Sequence, residues 1–276
     1  MFIPYNRHMP TNSSAKAATK QTIVMIHGFR GTHHGLIPIA NHLKGNRLVV
    51  PDLPGFGKGE KLKTYDLDNY VLWLHRYIKA LNLPNPPVLL GHSFGSIICA
   101  AYAEKYPKTI VRLILVNPIG SPALEGPNKV MTKLAVAYYK IGAKLPEKSA
   151  YKWLSAQPIV KVMSVTLAKT HNKELRAFIH KEHRQHFSRF HSAQSVLEGF
   201  KTSISHTVRD FAPNIPTPTL LIAGSLDDIT PLGDQYALVK LFPKATLKVI
   251  NDVGHLTHYE TPEVVAKYVQ AFIKSV

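Results

Sequence analysis

The chain has 276 residues, a length that suits one large domain or two small ones. Apolar residues make up 45% of it, which is enough to bury a substantial core and excludes an intrinsically disordered protein. The single cysteine, Cys99, excludes an intrachain disulfide and is compatible with a reducing compartment, while 34 basic and 17 acidic residues leave a net charge of +17.

The positive charge is spread along the chain rather than gathered in blocks. Lysines recur singly, as in Lys140, Lys144, Lys148 and Lys152, a spacing typical of a solvated helix face. We therefore expect no nucleic-acid partner, and an anionic partner is the alternative that the charge leaves open. The first 21 residues contain no apolar segment typical of a signal peptide, and no run is long enough to span a bilayer, so we expect a soluble, cytoplasmic protein.

Short apolar runs alternate with helical patterns in the first half of the chain and again near its end. The runs are rich in β-branched residues, and several are apolar at nearly every position, as in parallel strands buried on both faces. After the second run, apolar residues recur at helical spacing over residues 67–81, with Asp66 or Asp68 as the expected N-cap. This alternation predicts a doubly wound, mostly parallel α/β fold. The predicted strands are Thr22–His27, Arg47–Val50, Val88–Gly91, Val111–Asn117, Thr219–Ala223 and Thr246–Ile250.

The alternation is interrupted between Asn117 and Thr219. Residues 121–210 carry apolar residues at helical spacing together with 15 basic and 6 acidic residues, and a proline-rich joint follows them. We therefore predict a helical lid at residues 121–210, inserted into a core formed by residues 1–120 and 211–276. The predicted lid helices are Val130–Ile141, Glu147–Thr170, Lys173–Phe190 and Ala193–Ser203.

The segment GHSFG at residues 91–95 follows one predicted strand and precedes a predicted helix. In that setting, a sharp turn flanked by small residues holds the hydroxyl of Ser93 above the carboxyl edge of the sheet, where it can act as a nucleophile. The alternative is a tight strand-to-helix turn with an incidental serine. The context of the segment favours the nucleophile.

The segment HGFRG at residues 27–31 follows the first strong strand. A serine that attacks an acyl carbon needs backbone N–H donors aimed at the developing oxyanion. The N–H groups of Phe29 and of Phe94, directly after the serine, are the natural pair. The alternative is that the glycines merely let a turn close.

The loops after the last two strands supply an acid and a histidine. Asp227 and Asp228 lie in the segment GSLDDITP, and a carboxylate at that place can reach a histidine in the neighbouring loop. From residue type alone, either aspartate could be the acid that reaches the histidine. We prefer Asp227 for that role and interpret Asp228 as a solvated turn residue or a helix cap. His255 follows the final strand, and although the chain has 15 histidines, its position after both the serine and the aspartates favours a catalytic role.

Taken together, these segments make the chain resemble the α/β-hydrolase superfamily, in its serine-nucleophile branch with a helical lid. The pattern G-x-x-D-x-x-x-P of that family corresponds to Asp227 as the catalytic acid, and its pattern G-H…E-x-P corresponds to His255. The matching segments are HGFRG (27–31), DLPGFGKGE (52–60), GHSFGS (91–96), GSLDDITP (224–231) and GHLTHYETPE (254–263).

The chain also departs from some members of that superfamily. A serine nucleophile argues against haloalkane dehalogenases and epoxide hydrolases, which use aspartate, and Asn117-Pro118 stands where some members carry the catalytic acid. Ser96 stands where some carbon–carbon bond hydrolases carry arginine. Members usually begin with an antiparallel hairpin, and the short polar N-terminus leaves little room for a complete one.

The resemblance implies a serine hydrolase that cleaves a carboxylic ester of a small or medium substrate through an acyl-enzyme, with no metal or organic cofactor. A thioesterase, a lactonase and a carbon–carbon bond hydrolase are alternatives of the same fold, and a non-catalytic binder of an anionic ligand is an alternative from another class. The oligomeric state stays open. Lid histidines without the pattern of a metal site are expected on the surface or in packing. They are His171, His180, His183, His186 and His191.

Overall fold

The structure is a computed structural model, and it describes residues 20–122 and 129–275. Residues 1–19, where we expect no complete antiparallel hairpin, lie outside the described residues. Within the two described ranges, no helix combines the length and the apolar character that crossing a bilayer requires.

Six parallel strands form one sheet in the order β2-β1-β3-β4-β5-β6, which confirms the predicted doubly wound α/β class. Each predicted strand is present with its ends shifted by at most one residue. The runs of Val, Ile and Leu that predicted the strands are buried at every position in β1, β3 and β5. The strands are β1 (Thr22–Ile26), β2 (Arg47–Val49), β3 (Val88–His92), β4 (Arg112–Val116), β5 (Thr219–Gly224) and β6 (Ala245–Ile250).

Helices cover both faces of the sheet. On one face, Tyr70 and Leu74 of α2 and Ile98 of α3 pack against the strands, and on the other Ile39 of α1 packs with Val265 of α11. The Asp66 carboxylate accepts a hydrogen bond from the Asn69 N–H at 2.9 Å. Of the two predicted cap residues, Asp66 and Asp68, it is therefore Asp66 that caps α2. In the described ranges the helices are α1 (Ile37–His42), α2 (Leu67–Ala80), α3 (Phe94–Lys105), α4 (Lys129–Lys144), α5 (Glu147–Leu154), α6 (Gln157–Leu167), α7 (Lys173–His186), α8 (Ala193–Ser205), α9 (Leu232–Val239), α10 (Thr257–Glu260) and α11 (Pro262–Lys274).

The strand order creates a crevice at the carboxyl edge of the sheet. β1 pairs with β2 on one side and with β3 on the other, so the chain reverses its progress across the sheet between β2 and β3. Ligands of open α/β sheets bind outside the carboxyl ends of the strands at such a reversal. Here those ends lead into residues 27–31 and residues 91–95, the two glycine-containing segments of the sequence.

The insertion between β4 and β5 contains helices α4 to α8 and no strand in its described part. The single helix predicted at Glu147–Thr170 is wrong, because the chain forms α5 and α6 there. Pro158 is the second residue of α6, and its ring has no N–H to donate to the carbonyl of Leu154 and would clash with that carbonyl in a continuous helix. The Leu154 carbonyl accepts hydrogen bonds from Arg30 and Tyr138 instead. The helix predicted at Lys173–Phe190 ends at His186.

Candidate active site

Ser93 occupies the sharp turn between β3 and α3. Its backbone has φ 52° and ψ −121°, in the region that glycine adopts most readily, and its N–H donates to the Val116 carbonyl at 3.0 Å. The turn is so tight that a Cβ atom on Gly91 would lie 2.5 Å from the Gly95 carbonyl oxygen. A Cβ atom on Gly95 would meet the Ile26 carbonyl oxygen at a still shorter distance. The two glycines therefore allow α3 to begin directly above the sheet, with the serine side chain partly accessible.

His255 lies between Ser93 and Asp227. Its Nε2 is 2.8 Å from the Ser93 Oγ, and its Nδ1 is 2.8 Å from the Asp227 Oδ2. The histidine and the aspartate are both buried, with 6% and 4% of their surfaces exposed. The three residues that the sequence selected from separate loops thus form one continuous chain of hydrogen bonds.

Asp227 is held by donors on every side. Its Oδ1 accepts the N–H groups of Ile229 and Thr230 at 2.8 and 3.0 Å, and its Oδ2 accepts the Thr230 hydroxyl and the Asn117 amide at 2.5 and 2.6 Å. Burial by itself would raise the pKa of Asp227, but the charge of His255 and these hydrogen bonds outweigh it and lower the pKa to about 2. The carboxylate is therefore ionised at neutral pH and faces the Nδ1 side of the imidazole.

Asp228 has a different environment from its neighbour. Its side chain is half exposed and contacts the ammonium of Lys169, which follows α6 in the insertion. The two adjacent aspartates therefore have separate roles, since one reaches the histidine and the other links a loop of the core to the insertion.

The backbone near Phe29 and Phe94 presents N–H groups beside the serine. Phe94 is the first residue of α3, so its N–H has no acceptor within the helix. The turn that contains Phe29 is closed by a hydrogen bond from the Gly31 N–H to the Gly28 carbonyl at 3.1 Å, and the Phe29 N–H makes no backbone hydrogen bond to another described residue. Both phenylalanines line the same cavity as Ser93.

The imidazole of His27 fixes this turn to the core. Its Nε2 accepts the Leu53 N–H at 2.8 Å, and its Nδ1 lies 2.8 Å from the Gly28 carbonyl oxygen. Both bonds require a neutral ring that carries its proton on Nδ1. Burial lowers the pKa of His27, which favours that neutral form.

The sequence reasoning missed Asn117 as a part of the site. In the sequence, Asn117 stands out only as a position without an acid, yet its amide donates to Asp227 and its Oδ1 accepts the Thr257 hydroxyl at 2.5 Å. Its backbone adopts a positive φ of 46° directly after β4. Asparagine tolerates that conformation better than most residues, and this was the available signal.

His92 and His258 are two further buried neighbours of His255 that were not selected. The ring of His92 lies 5.3 Å from that of His255 and 4.1 Å from that of His258. Burial and the nearby charge of His255 lower the pKa of His92 to about 3, and burial lowers the pKa of His258 well below its ordinary value. Both rings are therefore neutral at neutral pH.

Arg30 connects the segment 27–31 to the insertion. The side chain is completely buried, and it donates to the carbonyls of Leu154 and Phe187 at 2.6 and 3.3 Å and to the hydroxyl of Tyr139 at 3.3 Å. These carbonyls belong to the C-terminal ends of α5 and α7, where the partial negative charge of a helix is found. The guanidinium also lies over the ring of Phe187, 5.3 Å from its centroid. One core residue thus binds three insertion helices.

A cavity of about 480 Å³ opens onto Ser93 and His255, within the range of small-molecule sites. Its walls are mostly apolar, and the insertion contributes side chains such as Tyr139, Leu167 and Phe200. The ring of Tyr139 stacks on that of Phe200 at 3.8 Å. Among the described residues that line the cavity, Lys169 is the sole lysine or arginine, and the acidic ones are Glu182, Asp228 and Asp234.

Two histidines of the insertion, His183 and His186, line this cavity. Nδ1 of His180 and Nδ1 of His183 lie 2.6 and 2.8 Å from the hydroxyl of Ser164, and the ring of His186 stacks on that of His34 at 3.8 Å. In the described ranges, no three His, Cys, Asp or Glu side chains gather in a way that would hold a metal ion.

Comparisons with known proteins agree on one family. The family model described as alpha/beta hydrolase fold matches residues 21–262. Lipase 3 of Moraxella sp. is 28% identical over 268 residues, which cover 92% of this chain and 78% of the lipase, and Lipase 1 of Psychrobacter immobilis is 27% identical over 91% of this chain and 76% of its own length. Among solved structures, a thermophilic esterase from Thermogutta terrifontis superposes with a TM-score of 0.78 at 22% identity, over 93% of this chain and 90% of the esterase.

Proposed function

We propose that this chain, which belongs to the alpha/beta hydrolase family, is a serine hydrolase that cleaves carboxylic esters through an acyl-enzyme. The family assignment confirms the resemblance found in the sequence. The observation that carries the proposal is the pair of 2.8 Å contacts of His255, one to the Ser93 hydroxyl and one to the buried Asp227 carboxylate. A serine hydroxyl becomes a nucleophile when an adjacent base takes its proton and a third group orients that base.

In the proposed reaction, the Ser93 Oγ attacks the carbonyl carbon of the ester while His255 Nε2 takes the hydroxyl proton. Asp227 holds the imidazole in the productive tautomer and stabilises the imidazolium. The N–H groups of Phe29 and Phe94 stabilise the oxyanion. Collapse of this intermediate breaks the bond to the alcohol, which leaves with the proton from His255. Water then attacks the acyl-enzyme, with His255 again as the base, and releases the acid.

The walls of the cavity favour an apolar, uncharged acyl group. The single lysine among the described lining residues contacts Asp228, so the cavity has no concentration of positive charge. The names of two similar curated relatives, both bacterial lipases, agree with an ester substrate. We further propose that the insertion acts as a lid, because its side chains form one wall of the cavity that Ser93 faces.

The test is hydrolysis of p-nitrophenyl butyrate combined with covalent labelling. We expect wild type to turn the ester over and to be labelled at Ser93 by a fluorophosphonate. Ser93→Ala should lose activity by about 10⁴-fold or more and lose the label. Ser203→Ala is the matched control, since Ser203 also lines the cavity but donates its hydroxyl to the Phe200 carbonyl, and it should retain both. Turnover that survives in Ser93→Ala at the wild-type rate would refute the proposal.

A further inference from the structure

The outer face of α4 carries two parallel rows of exposed side chains, one of lysines and one of aliphatic residues. Positions three, four and seven apart fall on the same side of a helix, so each row is continuous and the two lie side by side. Leu134 and Ile141 are 59% and 48% exposed, although both are large and apolar. The rows are Lys133, Lys140 and Lys144, and Leu134, Ile141 and, directly after the helix, Leu145.

Helix α5 extends this surface with the side chain of Trp153. Trp153 is 38% exposed, and Lys148 and Lys152 are exposed on the same helix. The indole of Trp153 lies 5.5 Å from the ring of Tyr138 on α4, and its Nε1 donates to the Tyr138 carbonyl at 3.1 Å. Because these contacts hold α5 against α4, the two helices form one hairpin, residues 129–154, with a mixed basic and apolar outer face.

The charge of the hairpin is almost entirely of one sign. Residues 129–154 contain six lysines and one acid, Glu147. The carboxylate of Glu147 accepts the Ala193 N–H at 2.8 Å and is therefore engaged with α8. The outer face thus presents lysines with no acid among them in the described residues.

The inner face of the same hairpin packs against the rest of the protein. Tyr139 is buried and stacks on Phe200, and Arg30 donates to the Tyr139 hydroxyl and to the last carbonyl of α5. Ala135 and Tyr139 line the cavity. The exposed aliphatic row therefore lies on the side of the hairpin that no other described element covers.

We propose that this outer face docks on the surface of an anionic lipid bilayer. Lysines bind anionic headgroups, while leucine, isoleucine and tryptophan partition into the boundary between headgroups and acyl chains. A nucleic acid would engage the lysines but leave the aliphatic row facing water. A lipid surface satisfies both rows at once, and it brings the cavity behind α4 close to lipid esters. The inference goes beyond the proposed function and does not require turnover.

The first experiment is sedimentation with vesicles of phosphatidylglycerol and phosphatidylcholine in equal amounts, and with vesicles of phosphatidylcholine alone. We expect wild type to bind the anionic vesicles. Lys140→Glu/Lys144→Glu should bind them at least about tenfold more weakly, since each lysine contributes separately to such binding. Lys240→Glu/Lys244→Glu changes the net charge by the same amount at two exposed positions outside the insertion, and it should bind like wild type. Equal losses in the two double variants would overturn the proposal, because net charge alone would then explain the binding.

The second experiment uses the two tryptophans as an internal comparison. Trp73 is buried in the core at 5% exposure, so a blue shift of the emission on vesicle binding must come from Trp153. Trp153→Phe should abolish the shift, and Ile141→Ser should weaken the binding at unchanged charge. A shift that persists in Trp153→Phe, binding to DNA but not to vesicles, or a stable dimer that ignores vesicles would each overturn the proposal.

Hydrolysis of p-nitrophenyl butyrate separates this inference from the proposed function. The charge-reversal variants change no residue that lines the cavity and should retain wild-type turnover in the absence of vesicles. Vesicle binding by a protein that hydrolyses no ester would support the docking surface and refute only the proposed esterase function. Ester hydrolysis without selective vesicle binding would support the esterase function and refute the docking surface.

Discussion

The six-stranded sheet and the helical insertion differ in how completely they bury their apolar residues. Strands β1, β3 and β5 are buried at every position. In contrast, eight of the fourteen large apolar side chains that are exposed in the described residues belong to the insertion. A central strand is packed against neighbours on both edges and both faces, so the packing of the sheet alone explains its apolar sequence. A helix that packs on one side has a second face, and the residues on that face can be explained only by what contacts it from outside the chain.

The two regions also differ in the chemistry they contribute. The serine, the histidine, the aspartate and the two proposed oxyanion donors all lie at the carboxyl edge of the sheet, in its loops or, for Phe94, at the first residue of α3. The insertion supplies walls of the cavity and, through Arg30, is bound to one of those loops. If this division holds, substitutions in the loops abolish the reaction, whereas substitutions in the insertion change stability or substrate preference.

The largest effect should separate two adjacent residues of the core. Asp227→Asn should lower kcat by about 10⁴-fold, because an amide at that place disfavours the tautomer of His255 that accepts the serine proton. Asp228→Asn should lower it by less than about tenfold, since Asp228 contacts Lys169 rather than the imidazole. The measurement is steady-state hydrolysis of p-nitrophenyl butyrate by both variants. The opposite ranking would mean that the acid of the site has been assigned one residue out of register.

Arg30 should show how strongly the insertion depends on the core. Arg30→Met keeps most of the volume but leaves the partly buried carbonyl of Phe187 without this donor and the buried carbonyl of Leu154 with one donor fewer, so we expect a loss of about 2–4 kcal/mol in the free energy of unfolding. Arg30→Lys should recover only part of it, because an ammonium cannot reproduce the planar fork of donors. Urea unfolding measures both variants.

The matched control for Arg30 is an exposed arginine. Arg209→Met should change the free energy of unfolding by less than about 0.5 kcal/mol, since Arg209 lies on the surface. If Arg30→Met were as stable as Arg209→Met, the insertion would be held by its apolar contacts alone.

The wall of the cavity should affect substrate preference more than chemistry. Phe200→Ala removes the ring that stacks on Tyr139, and we expect kcat/KM for p-nitrophenyl octanoate to fall by about tenfold, the effect of roughly one lost apolar contact. The value for p-nitrophenyl acetate should change little. Tyr236→Ala, an exposed aromatic residue of α9, is the control and should alter neither. An equal fall in kcat/KM for both esters would indicate instead that Phe200 stabilises the loops that carry the proposed catalytic residues.

The smallest effect should be that of salt. Because Lys169 is the sole lysine or arginine among the described lining residues, kcat/KM for a neutral ester should vary by less than about twofold from low to high ionic strength. An ester of equal size that bears a carboxylate should gain no advantage at low salt. A steep preference for the anionic ester, lost above about 0.1 M salt, would show that the insertion recruits charged substrates.

The success of the sequence reasoning followed the same division between sheet and insertion. Continuous apolar runs predicted all six strands, and glycine-flanked or proline-flanked segments after three of them indicated Ser93, Asp227 and His255, which the structure brings together. Those signals are local, since each depends on a few adjacent residues. The break between α5 and α6 was also visible locally, at Pro158, but helical periodicity on both sides of it obscured the proline.

Arg30 and Asn117 were beyond the reach of such reasoning. Arg30 reads as one more basic residue of a highly charged chain, and its partners Leu154 and Phe187 lie more than a hundred positions away. Asn117 contacts Asp227 across 110 positions. Roles of this kind depend on which distant segments the fold brings together, and the local signals at these two positions do not identify their partners.

The backbone at Ser93 implies a conflict between reactivity and folding at the centre of the molecule. A residue with a Cβ atom at φ 52° and ψ −121° stores about 1–3 kcal/mol of conformational strain. Glycine would relieve that strain, but it has no hydroxyl, so a chain selected only for stability would evolve away from serine at this turn. A serine in so unfavourable a conformation is what selection for the proposed reaction, rather than for folding, is expected to leave behind.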